Sequence, residues 1–301
     1  MEDPLERKAL EELQKGLKAQ AQWIKVHSAE YLIGMGYSEQ VKREFLHENL
    51  LHHSKPRYRI GIWRVLTEAE IGPDQKNQWI DKIFEAFGDR NGPDQLHAIE
   101  TLAKLELSPI AKCPEATQNA LKSEDGILKT FAIWATAYVS DQALKCNKQE
   151  LLNIAVSDSD EKIRIISALG LRKLGGFTRA QWTFLAFKAL LEPVESALRN
   201  SLLNTAFVSF QGESEETGTF RKIREEIQKG YKLFSFEKRI GLALSLAEKG
   251  TVAELPILQS FLNNEGIPGI YASKSMEAAE ARAAAAFAIL KIKNVSNRQH
   301  V

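Results

Sequence analysis

The chain is poor in sulfur chemistry: its 301 residues hold two cysteines, Cys113 and Cys146. That is too few for a disulfide framework or a Cys-based metal site, and a reducing compartment is the simpler setting. It also lacks an excess of either charge. Forty Lys and Arg face 39 Asp and Glu, a formal net charge of +1, whereas a protein that grips nucleic acid through phosphates carries a visible basic surplus. No stretch approaches the ~18 consecutive apolar residues of a membrane span. The opening MEDPLERKALEELQKGLKAQ is charged, with no apolar signal core. Gly-rich phosphate loops, nucleophile elbows and H-E-x-x-H pairs are missing. These absences point to a cytoplasmic protein without metal or cofactor, with no membrane or nucleic-acid partner, and to a binder rather than an enzyme.

What is present is helix. Apolar residues recur at three and four rather than at two: Leu10, Leu13 and Leu17 form one stripe, and Val41, Phe45 and Leu46 another. Helix starts are marked by Ser38, by Pro73 after Gly72, and by capping-box spacings at Asn147/Glu150, Thr178/Gln181 and Thr251/Glu254. Gly34, Gly36, Gly175 and Gly176 sit where helices should end. A recurring unit emerges when an apolar or basic residue followed by a basic one is aligned. The basic members are His27, Arg59, His97, Lys129, Arg164, Arg199, Arg239 and Arg282. Between consecutive members there is room for one more helix and two short connections.

The segment VSDSDEKIRIISALGLRKLGG, residues 156–176, resembles the second helix of a HEAT repeat, with Asp158, Ile163, Arg164, Ala168, Leu169 and Leu174 in the family's places. The resemblance implies an all-α fold: a right-handed α-α superhelix, or solenoid, of about eight HEAT-like antiparallel helix pairs. No linker divides it, so residues 1–301 read as a single repeat domain. In HEAT-like proteins an aspartate before the second helix and the basic residue opening it can hydrogen-bond from repeat to repeat. Six positions before the basic residue, this chain has Asp158 and Asn91 but otherwise Ala21, His53, Ser123, Pro193, Leu233 and Met276. Two longer connections, 211–219 and 263–275, are candidate functional loops. The alanine-rich terminal helix EAAEARAAAAFAILKIKN suits close packing on its own partner helix, and its alternative use is a dimer contact.

The resemblance places second helices on the concave side, which would gather His27, Glu30, Tyr31, Arg59, Trp63, His97 and Glu100. His27 and Glu30, and again His97 and Glu100, are three apart and share a helix side. The first expectation is a non-catalytic scaffold whose concave face binds a protein or peptide, with Arg59 and Trp63 as hot-spot residues. The alternative is a pocket, binding or enzymatic, for an anionic or sugar-like small molecule, since Arg and His supply charge and Trp a flat apolar face. A third reading follows from a resemblance to HEAT-like alkylpurine DNA glycosylases, with Trp63, Trp134 and Trp182 as aromatics; the balanced charge weighs against it. His47-Glu48 is similar to the His-Glu dipeptides of deoxyhypusine hydroxylase, but one dipeptide does not build its di-iron site, so no metal ligands are expected.

Overall fold

The computed structural model describes residues 3–212, 218–230, 235–267 and 275–299. Among these there are sixteen α-helices and no strand. The first eight are α1 (Pro4–Leu17), α2 (Gln22–Gly34), α3 (Ser38–His52), α4 (Tyr58–Ala69), α5 (Pro73–Gly88), α6 (Gln95–Lys104), α7 (Pro114–Leu121) and α8 (Gly126–Thr136). The rest are α9 (Asp141–Ser157), α10 (Glu161–Leu174), α11 (Arg179–Leu191), α12 (Ala197–Ser209), α13 (Gly218–Gly230), α14 (Phe236–Lys249), α15 (Leu255–Leu262) and α16 (Met276–Gln299). Each basic member of the recurring unit falls in an even-numbered helix. None of these helices is long and apolar enough to cross a membrane.

Local chemistry explains most helix starts. Asp3, Asp125, Asp160, Ser196 and Ser235 each accept a hydrogen bond from a first-turn amide, and Pro occupies the first turn of α1, α5 and α7. Thr178 and Thr251 form capping boxes with Gln181 and Glu254, the second at the head of a 3-10 turn. Asn147 is a correction. It lies in the middle of α9, whose start is capped by Ser140, and its amide donates instead to the Ile133 carbonyl (2.8 Å) and Thr136 Oγ1 (2.9 Å). A buried carbonyl next door won over the local capping pattern.

By packing, the chain parts into two compact units, Met1–Arg43 with Glu215–Val301, and Glu44–Ser214. The boundary falls inside α3, so the division that the sequence does not announce needs no linker. In the continuous unit the even-numbered helices neighbour one another in chain order: α4 and α6, α6 and α8, α8 and α10, α10 and α12. Trp134 on α8 is fully buried at the centre. Gly170 on α10 admits it, since a Cβ there would come 3.2 Å from the indole.

The other unit joins the two ends of the chain. Helix α16 packs against α14 and α15, and also against α1 and α2. Its Ala281, Ala283, Ala284, Ala285, Ala286 and Ala288 are all buried within the chain. That small-residue face is therefore occupied, and a dimer contact through it would have to displace the chain's own helices. Close approach is repeated between α1 and α2: a Cβ at Gly16 would fall 2.0 Å from Ser28 Oγ. Of the two longer connections, 213–217 and 268–274, including Pro268, Gly269 and Tyr271, lie outside the described residues.

Candidate functional site

The seven candidate residues divide between the units, three in the discontinuous one and four in the continuous one. In the continuous unit Asp94 is the hub. Only 1% exposed, just ahead of α6, it accepts from Arg59 Nε (2.7 Å) and Nη2 (2.5 Å) and from the Arg57 backbone amide (2.5 Å). Arg57 is a non-glycine residue at φ 66°, and it stands at the N-cap of α4. Such a conformation persists where surroundings over-determine it, and Asp94 does so by holding both sides of the α4 start.

Arg59 also lies over the Trp63 ring, 5.6 Å from its centroid. On the neighbouring α5, Lys82 Nζ stands 5.7 Å from the Trp63 ring and 4.6 Å from that of Trp79. The result is an alternating array of cation, ring, cation and ring along the α4–α5 seam. Trp63 is fixed further by donating Nε1–H to Asn49 Oδ1 at 3.1 Å. Among the described residues no carboxylate lies within ion-pair distance of Lys82, so the rings supply its charge stabilisation.

Glu100 is the second focus. His97 Nδ1 lies 3.5 Å from one carboxylate oxygen and Lys104 Nζ donates to the other at 2.7 Å. Burial alone would raise its pKa; the His97 hydrogen bond, with Lys104 and the Arg64 guanidinium, outweighs burial and holds it at about 2. Arg64 is itself buried and donates to Thr101 Oγ1 at 3.5 Å. A third cluster joins Tyr58, Glu48 and His52: the Tyr58 hydroxyl donates to Glu48 at 2.6 Å, and His52 Nε2 lies 3.7 Å from the same carboxylate. Burial, then the bond to Glu48, pushes the Tyr58 pKa up.

In the discontinuous unit His27 Nδ1 shares a 3.1 Å hydrogen bond with Glu280 of α16, and the Tyr31 ring stacks on Phe287 at 4.7 Å. Arg282 returns the contact, donating to Glu12 of α1 at 2.6 Å. The basic position of the recurring unit thus bonds to a neighbouring helix in both units. Elsewhere Arg164 and Arg199 reach carbonyls of the preceding helix, Arg164 Nε to Ala155 (2.9 Å) and Arg199 Nη1 to Leu190 (2.8 Å). A cavity of about 230 Å³ in this unit lies at the end of α2, lined by Gly34, Met35, Gly36, Lys291, Asn294 and Val295, and touches none of the seven candidates.

Among the described residues no group of three His, Cys, Asp or Glu side chains is placed to hold a metal ion. Burial raises the Cys113 thiol pKa, and its Sγ donates to the Phe84 carbonyl. Buried Lys148, its pKa lowered by burial, donates to the Gly175 (3.1 Å) and Gly176 (2.6 Å) carbonyls and closes the end of α10. Its polar atoms are spent on a helix cap. Sequence reasoning missed Asp94, Lys82, Trp79 and Asn49. The one available signal was the pairing of Trp79 with Lys82 three residues later on the face of α5. No family model matches the chain, and no curated protein matches it.

Proposed function

We propose that the protein is a non-catalytic binding scaffold of the cytoplasm, built of eight HEAT-like helix pairs in a right-handed superhelix, and that another protein or peptide binds across its second helices. The observation that carries this reading is the side-by-side succession of α4, α6, α8, α10 and α12. Cross-helix bonds tie that wall together: Arg59 to Asp94, the Leu198 amide to Glu161 at 3.3 Å, and Thr205 Oγ1 to the Ala168 carbonyl at 3.0 Å. A wall fixed in this way loses little freedom on binding, which favours affinity. The Trp63 and Trp79 rings are buried, which corrects the expectation that Trp63 itself meets a partner; they hold in place the partly exposed Arg59 and Lys82, and these two cations are the proposed anchor. His97 and Glu100 on α6 extend it. Lys82, for which no carboxylate stands within ion-pair distance among the described residues, makes the complementary feature of the partner a carboxylate-bearing segment.

The test is affinity capture from native lysate with wild type and Lys82→Glu, followed by cross-linking of the retained partner. Lys82 is half-buried against the Trp63 and Trp79 rings, so the variant should lose about 1–2 kcal/mol, and capture is run well below both melting midpoints with each protein shown to be folded. The expected result is a stoichiometric partner, cross-linked near Lys82 or Lys104, whose retention falls roughly tenfold or more in the variant. Equal retention, or no stoichiometric partner, overturns the reading.

A further inference from the structure

Helix α11, RAQWTFLAFKALL, has two apolar faces. At 100° per residue, Trp182, Leu185, Ala186 and Ala189 point one way, and all four are buried. On the diametrically opposite side, Ala180, Phe184, Phe187 and Leu191 fall within an arc of about 60°. There Phe184 is 41% exposed, Phe187 57% and Leu191 63%, and Val194 just beyond the helix end is 57% exposed. Single exposed apolar residues are ordinary. Three in one line on one helix, with Ala180 in the same arc and Val194 beyond the helix end, make an apolar stripe of the kind that marks an interaction surface.

Along the helix itself the borders of this stripe carry one sign of charge. Exposed Arg179 flanks one edge; on the other, Lys188 leans over the Phe184 ring with its Nζ 5.6 Å from the centroid. No acidic residue occurs on α11. Beyond the helix end, Glu192 is paired with Arg164, and Glu195 is exposed beside Val194. The other exposed apolar cluster, Leu46, Leu50 and Leu51 on α3, is interspersed with Glu39, Arg43, Glu44 and His47 and has no such uniform border.

We propose that this outer face of α11 is a docking surface for an amphipathic helix of a partner protein, whose apolar stripe covers Phe184, Phe187 and Leu191 and whose acidic borders meet Arg179 and Lys188. The two cations are nine residues apart, about 13 Å along the axis, so the partner's acids stand about two and a half turns apart. A second copy of this chain fits less well, because two α11 faces would set Arg179 and Lys188 against a helix with no acid of its own. An anionic membrane fits less well too, since helices that lie on bilayers carry a polar face rich in Lys and Arg rather than two cations. The proposal does not rest on binding across the second helices, because α11 belongs to the other layer of the helix pairs.

The test uses the full chain and two fluorescein-labelled 18-residue helical peptides with the same leucine stripe, one bordered by glutamates and one by lysines. Anisotropy titrations are run on wild type, Phe187→Ser/Leu191→Ser and Lys188→Glu. Because these side chains face solvent, all three proteins should melt alike, which fixes the comparison. The expected result is micromolar binding of the acidic peptide, weakened roughly tenfold or more by the double substitution and severalfold by Lys188→Glu, with the lysine peptide at least tenfold weaker throughout. The proposal is overturned by acidic-peptide binding that is absent or equal in the double variant. It is likewise overturned if sedimentation shows a wild-type dimer that the variant abolishes, or if anionic phosphatidylserine vesicles retain wild type alone while the peptide does not bind.

Discussion

The two units solve the same packing problem over very different lengths of chain. In the continuous unit the bonds between helix pairs join residues about one recurring unit apart: Arg59 to Asp94, and Glu161 to Ser196 and Leu198. In the discontinuous unit the equivalent bonds tie the beginning of the chain to its end. His27 meets Glu280, Arg282 meets Glu12, Lys293 meets Asp3, and Lys8 donates to Asn263 at 2.6 Å. Local stacking can propagate from one pair to the next. Joining the ends must first close a loop of more than two hundred residues, whose entropic cost falls on folding and slows it. The small residues of the second unit answer that cost. Gly16, Ser28 and the alanines of α16 let helices approach closely, so that each late contact brings dense packing.

The comparison breaks most visibly if a buried alanine of α16 is replaced by a charge. Ala284→Asp places an uncompensated carboxylate in a fully buried site, and the expected loss exceeds about 4 kcal/mol in that unit. Amide hydrogen exchange should then show α1, α2 and α14 unprotected while α8 and α10, around Trp134, keep their protection. Simultaneous loss in α8 and α10 would mean that the units unfold as one, and the contrast between them would have no energetic meaning.

A finer comparison sets the same position of the recurring unit against itself. Arg59→Leu leaves Asp94 buried without its guanidinium, and the expected cost is about 3 kcal/mol. His27→Leu removes a partner from Glu280, whose side chain still reaches solvent, and should cost less than about 1 kcal/mol. Urea unfolding of the two variants measures both. Equal losses would show that the ends are held by their ion pairs as firmly as the continuous wall, rather than by apolar packing.

The sequence made much of this legible and left specific parts hidden, for physical reasons. Helix periodicity and the spacing of His27, Arg59, His97 and their successors located the even-numbered helices, because a buried face imposes a period that survives any partner. The bonding partners stayed hidden. Asp94 stands three positions before His97, whereas the HEAT resemblance drew attention six positions before it, to Asn91. Glu161, three before Arg164, is the matching case. The contact of α16 with α1 and α2 has no local signal at all, since alanines suited to close packing do not say what they pack against. For the same reason His27, Glu30 and Tyr31 share positions of the recurring unit with Arg59 and Trp63, whereas His27 meets Glu280 and Tyr31 meets Phe287, both from the end of the chain. The outer stripe of α11 was written in plain view, but a helix apolar on two sides reads simply as buried.

A pH-dependent effect concerns Glu100, and it separates support of the wall from service to a ligand. Its carboxyl sits at about 2 in the folded chain against an ordinary 4.5. A lowered folded value means that the ionised form is favoured by folding. The stabilisation is therefore fully present above the unfolded value and is lost as pH falls from about 4.5 towards 2. Discounted for the solvent that reaches the side chain, the contribution is on the order of 2 kcal/mol or less. Chemical denaturation of wild type and Glu100→Gln across pH 2 to 7 measures it. The variant should be less stable at pH 7, and the gap should close progressively below about pH 4.5, where the wild-type carboxyl takes up its proton and comes to resemble the amide. A gap that stays constant with pH would mean that the loss is one of shape alone. No gap at any pH would release Glu100 from the wall and return it, with His97, to the set of residues placed for a ligand.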